Sequence, residues 1–160
     1  MADISLQGFD DLEQTLLSLN AKVGSDALRS AANAGATIIK DEVVIRAPEK
    51  SGILKEAIYQ KHIPEQSTDR RQVYFVSWRK GKKSTTDAFY GDWVERGHWY
   101  VPPRPKGVTY KAHRAANRAI FVPAHPFLRP SFEAKKDVAI DAMRSKLAEN
   151  VQKAIAEMRK

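Results

Sequence analysis

The chain contains no cysteine among its 160 residues. Disulfides and thiol catalysis are therefore excluded, and the commonest structural zinc ligand is missing. No apolar run approaches the roughly 18 residues needed to cross a bilayer. The opening MADISLQGFDD is acidic where a secretory signal would be basic, so the expectation is a protein that stays in the cytosol where it is made, with no membrane partner. No serine sits in the glycine-flanked G-x-S-x-G turn of a hydrolase. KGKKSTT lacks the paired glycines of a phosphate-binding loop. His62, His98, His113 and His125 stand at none of the spacings of a helical pair or a zinc finger, so satisfied or exposed histidine is the expected state and no cofactor is predicted.

The last deficit is local. No acidic residue occurs between Glu95 and Glu133, while Arg96, Arg104, Lys106, Lys111, Arg114, Arg118 and Arg129 all lie there. A second basic run, Arg70, Arg71, Arg79, Lys80, Lys82 and Lys83, is opposed only by Asp69 and Asp87. With a net charge of +8 the two runs form either a solvated face or a surface that attracts phosphates or an acidic protein.

What is present suits one domain spanning residues 1–160, since a chain of this length can bury a core of about two packed layers. Phe9, Leu12, Leu16, Leu19 and Val23 step by three and four behind the capping pair Asp10 and Glu13, predicting a short amphipathic helix. Gly24 is expected to stop it and Ser25 to cap a second helix. The stripe of that second helix runs Leu28, Ala31, Ala32, Gly35, Ile38, Ile39 and Val43, until Pro48 disfavours helix at Ala47. Residues 51–57 read as a helical turn leading into a strand over 58–63. QVYFVSW, residues 72–78, is the clearest strand by its β-branched and aromatic content.

Asp87 is expected to cap a short helix bearing Phe89, Tyr90, Trp93 and Val94, ended by Gly97. Residues 98–123 carry no helical period and are read as an arm, with 108–113 and 119–122 pairing as a hairpin, although AHRAANRA between them also tolerates helix. Ile140, Met143, Leu147, Val151, Ala154 and Met158 then mark a terminal helix over about 130–158. Such a helix is roughly 40 Å long, longer than a domain of this size is wide, so part of it should project or pack on a neighbour. The fold class is α+β, with a small mostly antiparallel sheet packed against helices, a long C-terminal helix and extended loops or hairpin arms.

Chemistry is thinly represented. Asp87, Asp92 and Glu95 share one expected helix, and two acids converging on a metal would suit a nuclease. Ordinary charges on a helix face explain them at least as well. Pro123 and Pro126 have the P-x-x-P spacing of a polyproline ligand. Bracketed by a strand and a helix, PAHPFLRPSF reads better as a stiff connection that delivers Phe127 and Leu128 to a fixed place and starts the helix at Pro130. Arg129 would then pair with Glu95 inside the fold or with an acid on another subunit.

Three motifs together resemble one family. A small-residue helix is followed by AP and SGILKEAI, residues 47–58; YGDWVERG spans 90–97; PAHPFLRPSFE spans 123–133 and leads into a charged terminal helix. In this order they resemble the tail-component proteins in the neck of tailed bacteriophages, the tail completion and head-to-tail joining proteins. The stretch 99–122 is longer than in many such proteins, and ERGH stands where a glutamate, an aromatic residue, glycine and threonine are more usual. The resemblance implies an α+β domain with no catalysis, in a virion assembled in the host cytoplasm. Identical subunits would close into a ring, sixfold to match a tail tube, at the head-proximal end of the tail. Tail-tube, tail-terminator or head-closure proteins would be neighbours, and genomic DNA is a further possible contact. On that reading Tyr90, Trp93, Glu95, Phe127, Leu128, Arg129 and Pro130 are candidates for packing between motifs or subunits. Lys80, Lys82, Lys83, Arg104, Lys106, Lys111, Arg114 and Arg118 are the candidate basic arms. A basic nucleic-acid-binding protein is the alternative.

Overall fold

The structure, a computed structural model, describes residues 21–50, 52–81, 87–116 and 118–158. The elements in chain order are α1 (Ala21–Arg46), α2 (Ile53–Ala57), β1 (Ile58–His62), a 3-10 turn (Pro64–Gln66), β2 (Tyr74–Trp78), α3 (Gly91–Arg96), β3 (His98–Tyr100), α4 (Tyr110–Ala115), β4 (Ile120–Val122) and α5 (Leu128–Met158). The fold is α+β: two antiparallel two-stranded sheets accompany a pair of long helices.

Helices α1 and α5 run antiparallel along each other. Lys135 lies 3.8 Å from Glu42 near one end, and Asn150 Nδ2 donates to Ala27 O at 3.5 Å near the other. The small residues of α1 permit this approach: Ala27, Ala31 and Ala36 are buried, and a Cβ at Gly35 would collide with the Met143 side chain. At 1.5 Å per residue α1 is about 39 Å long, enough to accompany most of α5. The terminal helix is thus matched by a partner in its own chain, where the sequence pointed to a projecting or externally packed end.

Sheet β1–β2 lies across α1 in the register Ile58 to Trp78 and His62 to Tyr74. Gln60 Nε2 donates to both Asn33 Oδ1 and Thr37 Oγ1 at 3.0 Å, which ties the strand to the helix surface. Ile39, Val43, Ala47, Leu54, Ala57, Ile58, Trp78, Ala88, Phe127 and Ala139 form one buried cluster. Leu147 and Ile155 pack on a smaller one, Val151 and Ala154, farther along α5.

Several local expectations are overturned. Residues 1–20, with Phe9 to Leu19, lie outside the described residues, but α1 runs through Gly24 and Ser25 without a break. One helical glycine costs only about 1 kcal/mol, less than continuous packing against α5 and β2 can offset. Ser25 Oγ accepts from Gln72 Nε2 at 3.2 Å and so serves as a tertiary contact where a cap was expected. Asp87 caps a turn: its Oδ1 accepts from Gly81 N at 3.0 Å and Phe89 N at 3.1 Å, so the helix begins later, at Gly91. The expected hairpin of 108–113 with 119–122 is replaced by β3 against β4, pairing Trp99 with Phe121. Residues 110–115 are helical, with Thr109 Oγ1 accepting from Ala112 N at 3.2 Å. That cap and the alanines of KAHRA favour α4.

Candidate assembly surface

Two of the resembling motifs meet at a single joint. In YGDWVERG, Gly91 is buried against Trp78, whose ring a Cβ would strike. Helix α3 can therefore settle on the face of β2 only with glycine at this position. Four residues on, Glu95 turns its carboxylate to the start of α5. Its Oε2 accepts from Phe127 N at 2.7 Å and Leu128 N at 2.9 Å, and its Oε1 from Arg129 N at 3.3 Å. A helix N-terminus presents unpaired N–H groups and partial positive charge, so a carboxylate there is doubly favoured. Because α5 begins among prolines, no neighbouring Ser or Asp supplies the cap, and Glu95 supplies it from another element.

The third fixed position is Gly97. At φ 76° it occupies the left-handed region that side chains avoid, and a Cβ would lie 2.9 Å from Val122 O and 3.0 Å from Ala124 N. The chain reverses there and enters β3 directly beside β4. His125 N donates to Val94 O at 2.8 Å, closing the other side of the joint. Phe127 is 0% exposed and its ring centroid lies 5.6 Å from that of Trp78. Ser131 is equally buried, its hydroxyl donating to Phe127 O at 2.5 Å.

The candidate residues thus divide. Phe127 is buried in the chain's own core beside Trp78, so of the two packings considered for it, between motifs or between subunits, it makes the first. Tyr90 and Leu128 pack partly buried against the same cluster. Of the two partners considered for Arg129, Glu95 within the fold or an acid on another subunit, Glu95 is met, through the Arg129 backbone N–H. Glu95, Leu128, Arg129 and Pro130 line an open groove of about 1150 Å³ between α1, β2 and the start of α5. Trp93 is 49% exposed and stacks on His98, with centroids 5.4 Å apart.

The three acids considered for a metal are each engaged separately. Asp87 holds backbone N–H groups, Asp92 pairs with Lys80, and Glu95 caps α5. Among the described residues no group of three or more His, Asp or Glu is placed to hold a metal ion. His62 bonds Gln72 Oε1 at 2.9 Å and Ser67 Oγ at 3.1 Å, a structural role.

The arm contrasts with the joint. Among the described residues from Asp92 to Pro126 none is buried. Trp99, Tyr100, Val101, Tyr110, Ile120 and Phe121 are exposed, Trp99 by 68% and Tyr110 by 73%. Arg104, Lys106, Lys111, Arg114 and Arg118 are exposed among them, and Arg104 donates to Val108 O at 2.6 Å. None of the ion pairs among the described residues involves a cation from Arg96 to Arg129. Lys80 sits over the Trp78 ring, 5.2 Å from its centroid, and Lys82 and Lys83 lie outside the described residues. Sequence reasoning named the arm's cations and missed its aromatics. The short aromatic and β-branched runs WYV and IFV, in a stretch free of acids, were the available signal.

The chain is thus an α+β protein in which a buried, hydrogen-bonded joint roots an exposed basic ribbon. Comparison with known protein families, with curated proteins and with solved structures found no match.

Proposed function

We propose that the chain is a structural virion protein of a tailed bacteriophage, forming a ring at the head-proximal end of the tail and needed for tail completion and head-tail joining. The observation that carries this reading is the joint. YGDWVERG and PAHPFLRPSF, motifs through which the sequence resembles neck proteins, are physically coupled through Glu95 and set a basic, apolar arm outside the core. An isolated two-stranded ribbon is marginal in water, and this one exposes Trp99 and Phe121 as well. Such an element gains stability when a neighbour covers it, as a closed ring of identical subunits provides. The protein acts by geometry and contact, without catalysis or cofactor. Electron microscopy of particles assembled without it tests the reading: unjoined heads and tails are expected, and normally joined virions overturn it.

The basic arm also favours a second reading, a nucleic-acid-binding protein, because cations interleaved with exposed aromatics suit phosphates and bases. That reading expects DNA affinity that falls steeply with salt and persists in the monomer. Absence of DNA binding at low salt removes it.

A further inference from the structure

Strand β2 pairs with β1 along one edge only. Arg79 N donates to Ala57 O at 3.0 Å and Ile63 N to Val73 O at 2.9 Å, in the register that sets Ile58 opposite Trp78. Antiparallel bonds alternate along a strand, so residues 73, 75, 77 and 79 bond toward β1, and the N–H and C=O groups of Tyr74 and Val76 point to the other side. Among the described residues those groups meet no hydrogen-bond partner. Tyr74 and Val76 also line the groove between α1, β2 and the start of α5. Its volume, about 1150 Å³, exceeds the roughly 300–1,000 Å³ of small-ligand pockets and suits a length of chain. An open strand edge is a template for one more strand.

The charge of the groove selects among strands. Arg71 lies just before β2, Arg96 at the end of α3 and Arg129 in the first turn of α5; all three line the groove, are exposed and make no ion pair among the described residues. The two acids of the lining are engaged, Asp92 with Lys80 and Glu95 with the N–H groups of α5. On the α1 side the lining is apolar, with Ala32, Ala36 and Ile39.

We propose that the edge of β2 takes, as a third strand, an extended segment of another protein in which apolar and acidic residues alternate. A strand paired there turns every second side chain to α1 and the others to solvent. The first set meets Ala32, Ala36 and Ile39 and has to be apolar; the second passes the three arginines and is favoured when acidic. Main-chain bonds to Tyr74 and Val76 supply affinity, and the alternate side chains supply selectivity. The arm of a second copy, with β3 and β4 in a stretch free of acids, lacks the charge that this edge selects. The proposal goes beyond the virion reading and does not depend on it.

The probe is the fluorescein-labelled peptide DVEVDVE, titrated into the full-length chain and read by fluorescence anisotropy at low salt. Saturable binding is expected, with hydrogen exchange slowed at the Tyr74 and Val76 amides. The same peptide N-methylated at every residue keeps its side chains, has no N–H to donate, and should bind at least about tenfold more weakly, as should KVKVKVK. In the protein, V76P removes an outward N–H without touching a bond to β1, A32F fills the groove, and R71E with R96E reverses its charge. Circular dichroism checks that each folds, and each should weaken binding of DVEVDVE by at least about tenfold. Absence of binding overturns the proposal. So does binding that ignores both N-methylation and A32F, which assigns the peptide to surface charge, and so does equal binding of KVKVKVK. Self-association that V76P abolishes and the peptide does not compete would give the edge to a second copy and overturn the acidic partner. Heads and tails that join without the protein remove the virion reading and leave peptide binding as it is.

Discussion

Trp78 and Trp99 lie one on each side of α3 in the chain and have opposite surroundings: the first is 6% exposed, the second 68%. Trp78 has Gly91 beneath its ring, Phe127 beside it and the face of α1 opposite. Trp99 has Phe121 across a two-stranded ribbon, at a centroid distance of 5.2 Å, and nothing buried around them. Both are aromatic residues on short strands, so residue type does not separate them. What separates them is whether a second layer exists to cover the strand, and the protomer supplies one layer only for the first sheet. The joint is a device for stability, and on the proposed reading the arm is a device for contact.

Substitutions should divide along the same line. Phe127→Ala empties a fully buried site beside Trp78 and should lower unfolding free energy by about 3–5 kcal/mol in denaturant titration. A loss under about 1 kcal/mol would mean that the joint is not part of the cooperative core. Glu95→Ala removes the acceptor for three N–H groups at the start of α5 and should cost about 1–2 kcal/mol. Glu95→Gln keeps an acceptor oxygen without the charge and should cost less; equal costs for the two variants would count against capping as the cause. In the arm, Trp99→Ala should change monomer stability by no more than about 0.5 kcal/mol while weakening self-association. If it unfolds the protein instead, the division between joint and arm fails.

The smallest effect is expected far from both. Lys153 and Lys146 donate to Glu149 and hold its carboxyl at about 2, down from the ordinary 4.5. A carboxyl lowered in the folded state stabilises it above the unfolded value, and that contribution is lost as pH falls from about 4.5 to about 2. Glu149→Gln should therefore flatten the acid limb of thermal stability slightly in that window and leave neutral pH almost unchanged, because the group is at the surface.

Periodicity located the second helix and the terminal helix, and β-branched and aromatic content the strand ending at Trp78, because each is long or apolar enough for local pattern to dominate. It failed at Gly24, where a weak local break was overridden by packing along the whole of α1. It failed again between His98 and Val122, where strands of three residues carry too little pattern to name their partner. Pro130 was placed in the first helical turn from sequence, and the structure starts α5 at Leu128, two residues earlier.

By itself the sequence determined that there would be no disulfide, that the stretch between Glu95 and Glu133 would carry cations and no acid, and that PAHPFLRPSF would be stiff and lead into a helix. These are properties of composition and backbone chemistry, which need no partner. Only the tertiary structure decided that Glu95 caps that helix through backbone N–H groups, that Phe127 is core while Trp99 is surface, and that the arm is a ribbon of β3 with β4. Each depends on which segments meet across more than twenty residues of chain, and those meetings are set by the layers available to cover each apolar face.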